Sequence, residues 1–146
     1  MFFLLGCLHS PPQQSQEKVE RTIPQACLEN GECVFLEIAD SPEEREVGLM
    51  NRTALAPEAG MLFIHEESGR HYYWMKNTLI PLDIIWIEEK NSIVQVSKAV
   101  PCNSEPCPVY APDSPAKFVL EVNAGFSEKN GLREGQKIVF KNIEQN

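Results

Sequence analysis

The groups able to do chemistry fall in two stretches. The first runs Trp74-Met75-Lys76-Asn77-Thr78 and leads through Ile80-Pro81 to Asp83; the second holds Glu121 and Asn123. Asp83 alternates with Ile85 and Ile87, so it projects onto an apolar face, where a carboxylate must find donors or take up a proton. Two roles fit. Asp83 accepts hydrogen bonds from Asn77 and Thr78 and fixes the turn closed by Pro81, or it works as a general acid or base with a raised pKa beside Lys76. The second role makes Asp83, Glu121 and Lys76 the catalytic candidates. Glu121 and Asn123 lie opposite Phe118 and Leu120, on a pocket wall or a solvated rim. Trp74 shares a face with Tyr72, which makes a ligand platform or a piece of core. The short connection between Asn77 and Asp83 predicts that Trp74, Lys76, Asn77, Asp83, Glu121 and Asn123 surround one binding concavity.

Other chemistries find less material. No phosphate loop, nucleophile elbow or catalytic triad is spelled out, and His65 and His71 have no acid partner nearby in sequence. His65 and His71 with Met50, Met61 and Met75 form a conceivable soft copper set, but Met61 sits in an apolar run and Met50 at a helix end, which suits core filling. No metal site and no cofactor is expected. The formal net charge is −8, which argues against nucleic acid as a partner.

Five cysteines stand at 7, 27, 33, 102 and 107. If Cys7 is set apart, the others form two close pairs. Cys27 and Cys33 can face each other across a three-residue loop, Glu29-Asn30-Gly31, in which Gly31 takes the left-handed bulge position. A two-residue Asn30-Gly31 loop would put the thiols on opposite faces. The expectation is Cys27–Cys33 and Cys102–Cys107 disulfides, with zinc as the alternative; the spacing within the first pair is wider than structural zinc sites favour.

The amino terminus supplies a use for Cys7. Leu4-Leu5-Gly6-Cys7 resembles the lipobox of bacterial lipoproteins. That resemblance implies diacylglyceryl attachment at Cys7, cleavage before it and acylation of the new amine. Several acyl chains anchor stably where one is marginal. No Lys or Arg precedes Cys7, and the apolar run spans only Phe2 to Leu5, so the segment is either a truncated signal or a cytoplasmic N-terminus with a chance Cys. Ser10 to Gln16 reads as a polar, Pro-containing tether. Residues 1–21 carry Lys18 and Arg21 against Glu17 and Glu20, so the whole −8 belongs to residues 22–146. Such a domain is repelled by anionic lipid, and a covalent link would have to hold it on a membrane. The division is therefore 1–21, signal remnant and tether, and 22–146, one β-rich domain. The expected location is the cell envelope, facing the periplasm or exterior, with the cytoplasm as the alternative.

The elements that must position these groups are short. Val34, Leu36 and Ile38 share one strand face. Ser41-Pro42-Glu43-Glu44 is a helix start with a capping box, and the helix ends near Gly48. Met61 to Ile64 and Arg70 to Met75 read as strands, as do Leu82 to Glu88, apolar on both faces, and Ile93 to Val100. Residues 101–115 hold five of the eleven prolines and read as a rigid loop. Lys117 to Val122 is a strand, Ala124 to Asn130 a short helix, and Ile138 to Phe140 the last strand. The class is mainly β, a compact distorted barrel with two short helices.

Several segments together resemble one family. They are Glu37-Ile38-Ala39-Asp40 with Pro42-Glu43-Glu44-Arg45 and Gly48-Leu49-Met50; Gly60-Met61-Leu62-Phe63; Trp74 to Thr78 with Ile80 to Ile85; Pro101-Cys102 with Pro106 to Tyr110; and Val119 to Gly125. Their order and wording are similar to the uncharacterised domain of unknown function 192, over residues 33–140. The resemblance implies a small barrel-like β fold, frequently exported, and no assigned activity. The leading expectation is a lipid-anchored accessory or binding domain. A small hydrolase-like enzyme using Asp83 or Glu121 is the alternative, and a periplasmic metal-binding protein the third reading.

Overall fold

The computed structural model describes residues 22–144, and Cys7 with its tether lies outside them. Among the described residues nine strands and two helices follow in the order β1 (Gln25–Cys27), β2 (Cys33–Ala39), α1 (Pro42–Val47), β3 (Ala59–Gly69), β4 (Tyr73–Trp74), β5 (Leu82–Ile87), β6 (Ile93–Ala99), β7 (Val109–Tyr110), β8 (Ala116–Asn123), α2 (Phe126–Lys129) and β9 (Val139–Lys141). Seven strands make one sheet, ordered β6-β5-β8-β3-β2-β1-β9, and β4 pairs with β7 in a separate ribbon. Only β2 and β3 run parallel, joined by a crossover through α1; the other pairs are antiparallel.

The first hairpin forms as its turn residues dictate. Cys27 pairs with Cys33, Leu28 N donates to Glu32 O, and Gly31 takes φ +91. The three-residue loop brings both thiols to one face, and the Cys27–Cys33 disulfide closes it. Cys102 and Cys107 are likewise bonded. Ser41 caps α1, accepting from Glu44 N, while the Glu44 carboxylate accepts from Ser41 N, and Pro42 opens the first turn.

The sheet curls. Ile93 N donates to Gln136 O at 2.8 Å, Gly135 N to Ile93 O at 2.8 Å and Ile138 N to Asn91 O at 2.9 Å. The segment entering β9, at one end of the sheet, thereby meets the start of β6 at the other end. The meeting is confined to residues 91–93 and 135–138; β6 and β9 do not pair, and the product is a half-barrel rather than a closed barrel.

Each face of the sheet carries its own core. Ala26, Val34, Leu36, Leu62, Ile85, Leu120 and Ile138 pack inside the curl. Met61, Phe63, Ile84, Trp86 and Val119 point the other way, covered by Leu49, Met75 and the Tyr73/Tyr110 pair of the ribbon. All six residues of β5 are buried because both faces are covered, as its unbroken apolar run requires.

Three strands depart furthest from expectation. β3 continues through the polar residues His65 to Gly69, where its register with β8 shifts after Ile64. Of Arg70 to Met75 only Tyr73–Trp74 is strand. Its partner, Val109–Tyr110, lies within the segment expected to be loop throughout. Backbone pairing across the ribbon, invisible to local patterning, makes both.

Candidate functional site

A cavity of about 360 Å³ opens on the outer face of the sheet, between the end of α1, β3, β8 and the approach to β4. Glu121 of β8 is at its floor. Arg45, Glu46 and Leu49 come from α1 and its exit, Phe63 and His65 from β3, Tyr72 to Trp74 from the ribbon, and Thr78 from the turn after it. Gly60 lets β3 lie close beside Glu121: a Cβ there would stand 2.8 Å from Glu121 O.

Among the described residues the Glu121 carboxyl has no complement. It is 6% exposed, and it makes no hydrogen bond or ion pair with any described residue. Burial alone pushes it up to about 8. At neutral pH it is therefore mainly a protonated acid, able to donate as well as accept. The Tyr73 ring packs edge-on between Phe63 and Trp86, at 5.2 and 5.3 Å. Burial, and then the nearby Glu121, push the Tyr73 phenol well up. Kept protonated, it shares a hydrogen bond with His65 Nε2 at 2.7 Å. His65 stacks flat on His71, ring centroids 3.5 Å apart. Burial first, then His71 and Arg45, hold the His65 imidazole down at about 4. The site at pH 7 thus contains a neutral acid, a neutral phenol and a neutral imidazole. Arg45 does not neutralise Glu121: its Nη1 donates to Asp40 O at 2.6 Å and Ile64 O at 2.9 Å.

Trp74 and Glu121 line this cavity together, and the other expected members do not join them. Asp83 pairs with Val122 and Glu121 with Ile84, so the two carboxyls point to opposite faces of the sheet. Asp83 is 0% exposed among the residues inside the curl. Its partner is neither Asn77 nor Thr78 but Ser127 N, which donates to Oδ2 at 2.8 Å in the first turn of α2; Oδ1 has no partner among the described residues. The expectation of one concavity fails at Asp83 because one step of register reverses the face. Lys76 lies 5.2 Å from the Trp74 ring centroid and 3.3 Å from Glu105. Asn77 adopts φ +57, and its carbonyl accepts from Asn51 N. Asn123 Nδ2 donates to Leu55 O at 2.8 Å, tying down the loop between α1 and β3. These three are structural supports of the turns around the site, outside its lining. Arg45, His65 and Tyr73 were not among the expected site residues; only tertiary pairing brings them together.

Among the described residues no three of His, Cys, Asp and Glu gather as a metal set, and the four cysteines that zinc would need are in disulfides.

A curled half-barrel with a carboxyl-floored cavity on its outer face defines a small β-rich pocket domain. The chain belongs to the family called domain of unknown function 192 (Uncharacterized ACR), which matches residues 26–140. Two solved structures are similar to it. A protein of Sinorhizobium meliloti 1021, described as a candidate transcription regulator, is 33% identical over 82% of this chain and 93% of its own, with a TM-score of 0.72. A protein of unknown function from Novosphingobium aromaticivorans is 30% identical over 80% of this chain and 83% of its own, also with a TM-score of 0.72. No protein of curated function matches significantly.

Proposed function

We propose that this chain is a small-ligand-binding domain of the bacterial cell envelope, anchored by lipid on Cys7, with its ligand seated over Glu121. The observation that carries the binding reading is the buried Glu121 carboxyl, unpaired by any described residue and lining a cavity of about 360 Å³. An unpaired buried polar group costs stability, and a ligand that supplies the missing partner offsets that cost. The envelope reading is supported by the Leu-Leu-Gly-Cys sequence and by two disulfides, which persist in oxidising compartments. A net charge of −8 gives no support for carrying a transcription role over from the Sinorhizobium protein.

A second reading has a specific support. A carboxyl poised near 8 is protonated at neutral pH and suits a general acid, which keeps the enzyme alternative on Glu121 and removes it from Asp83, outside the cavity.

A fragment screen read by amide NMR on the full chain tests the binding reading. Hits that shift Leu49, Trp74, Thr78 and Glu121 together are expected. Fragments that leave those amides unmoved, or that cluster inside the curl around Asp83, overturn it.

A further inference from the structure

The chemistry of the walls narrows the ligand. Phe63, Tyr72, Tyr73 and Trp74 contribute aromatic rings, and Glu46 adds a second carboxyl to that of Glu121. Arg45, the one Lys or Arg of the wall among the described residues, already donates to two backbone carbonyls. The Tyr73 hydroxyl is bonded to His65, and Tyr72, Trp74 and Thr78 bring further polar groups to the lining. A cation would find aromatic side chains, whose rings attract positive charge through their quadrupoles, and a carboxyl with no other counter-ion among the described residues. One wall residue already displays that affinity: the Lys76 ammonium lies 5.2 Å from the Trp74 ring centroid. The formal charge of −8 favours cation approach over the whole surface.

We propose that the cavity binds an organic ammonium ion, with Glu121 as its counter-ion and the aromatic wall around its alkyl groups. This rests on the reading of the cavity as a ligand site. The groups facing Glu121 are Arg45 and Glu46 from α1, His65 from β3, and Tyr72 and Tyr73 at the ribbon. Glu121 is protonated below about pH 8, so a cation must displace that proton to be neutralised. His65 is neutral above about pH 4 and adds no competing charge in the working range. Affinity for a cation therefore rises roughly tenfold per pH unit up to about 8 and then levels.

The test uses choline and its uncharged carbon isostere, 3,3-dimethylbutan-1-ol, titrated into the full chain between about pH 6 and 9, by calorimetry and amide NMR. Choline is expected to shift the Trp74, Thr78 and Glu121 amides, to bind at least tenfold tighter than the isostere at the upper end, and to tighten with pH. Glu121→Gln should lose at least tenfold in affinity and the pH dependence with it. Trp74→Ala, a change at a half-exposed side chain, should weaken choline several-fold in a folded protein. If the isostere binds this cavity as well as choline, or choline affinity is flat with pH, the ammonium inference falls while the cavity remains a ligand site. The same inference falls if choline leaves the cavity amides unmoved while screened fragments shift them. If neither choline nor any fragment moves them, both readings fall.

Discussion

Asp83 and Glu121 occupy neighbouring strands one register step apart, and their carboxyls leave opposite faces of the sheet. The first accepts from Ser127 N at 2.8 Å inside the curl. The second meets no described partner and lines the outer cavity. Two buried carboxyls therefore differ in their surroundings: one holds α2 against the sheet, and the other lines the cavity proposed as the ligand site.

Substitution separates the two. Asp83→Ala leaves the Ser127 N–H without its acceptor and should destabilise the fold by about 1–3 kcal/mol in urea unfolding; Asp83→Asn, which retains an acceptor oxygen, should cost less. Neither should change fragment binding at Glu121. An Asp83→Ala protein of unchanged stability that no longer binds ligand would reverse the assignment.

Stability should follow pH with a plateau bounded by two groups. Glu121 has a folded pKa raised from 4.5 to about 8, so the folded state holds its proton longer, and stability falls as pH rises from about 4.5 to 8. His65 has a folded pKa lowered from 6.5 to about 4, so its contribution is complete above 6.5 and is lost as pH falls towards 4. Between about 4.5 and 6.5 the two slopes oppose each other. Thermal melts should be flat there and decline on both sides. Glu121→Gln should flatten the alkaline decline, and His65→Gln the acid one. An alkaline decline of the same steepness in Glu121→Gln would remove Glu121 as its cause.

The sequence showed the local geometry of the fold and little of its site. The Cys27–Cys33 register, the Ser41 cap and the inward face of Phe118, Leu120 and Val122 are consequences of spacing within a few residues, and all three stand. The ribbon does not follow from spacing: Tyr73–Trp74 is a strand only because Val109–Tyr110, far along the chain, lies beside it. The site fails for the same reason. Period two correctly put Asp83 on an apolar face, but which face Glu121 shared with it depended on the β5–β8 register. His65 meets Tyr73 because β3 continues past its apolar run into His65 to Gly69, which local patterning does not show.

The disulfides should be local and individually modest. Non-reducing peptide mapping should return Cys27–Cys33 and Cys102–Cys107 as separate links. Their sequence separations are 6 and 5, and loops this short should each contribute roughly 2 kcal/mol or less. Replacing one pair with serines should therefore leave a folded domain with a lowered melting temperature. Scrambled links in the oxidised protein would contradict the pairing.

Anchoring is decided at Cys7. Expressed from its native locus in a bacterial host, the protein should take up a palmitate analogue, partition with membranes and lose both properties in Cys7→Ser. An unlabelled, fully aqueous wild type removes the lipid and, with it, the envelope location argued from it.

The most direct measurement is a carbon-13 titration of the Glu121 side-chain carboxyl in the ligand-free full chain, assigned by comparison with Glu121→Gln. Desolvation without a counter-ion predicts a midpoint near 8. A bound ammonium probe should pull that midpoint down. A midpoint near the ordinary 4.5 in the free protein, unmoved by ligand, would mean that Glu121 is solvated or already paired, and the cavity would have no waiting carboxyl at its floor.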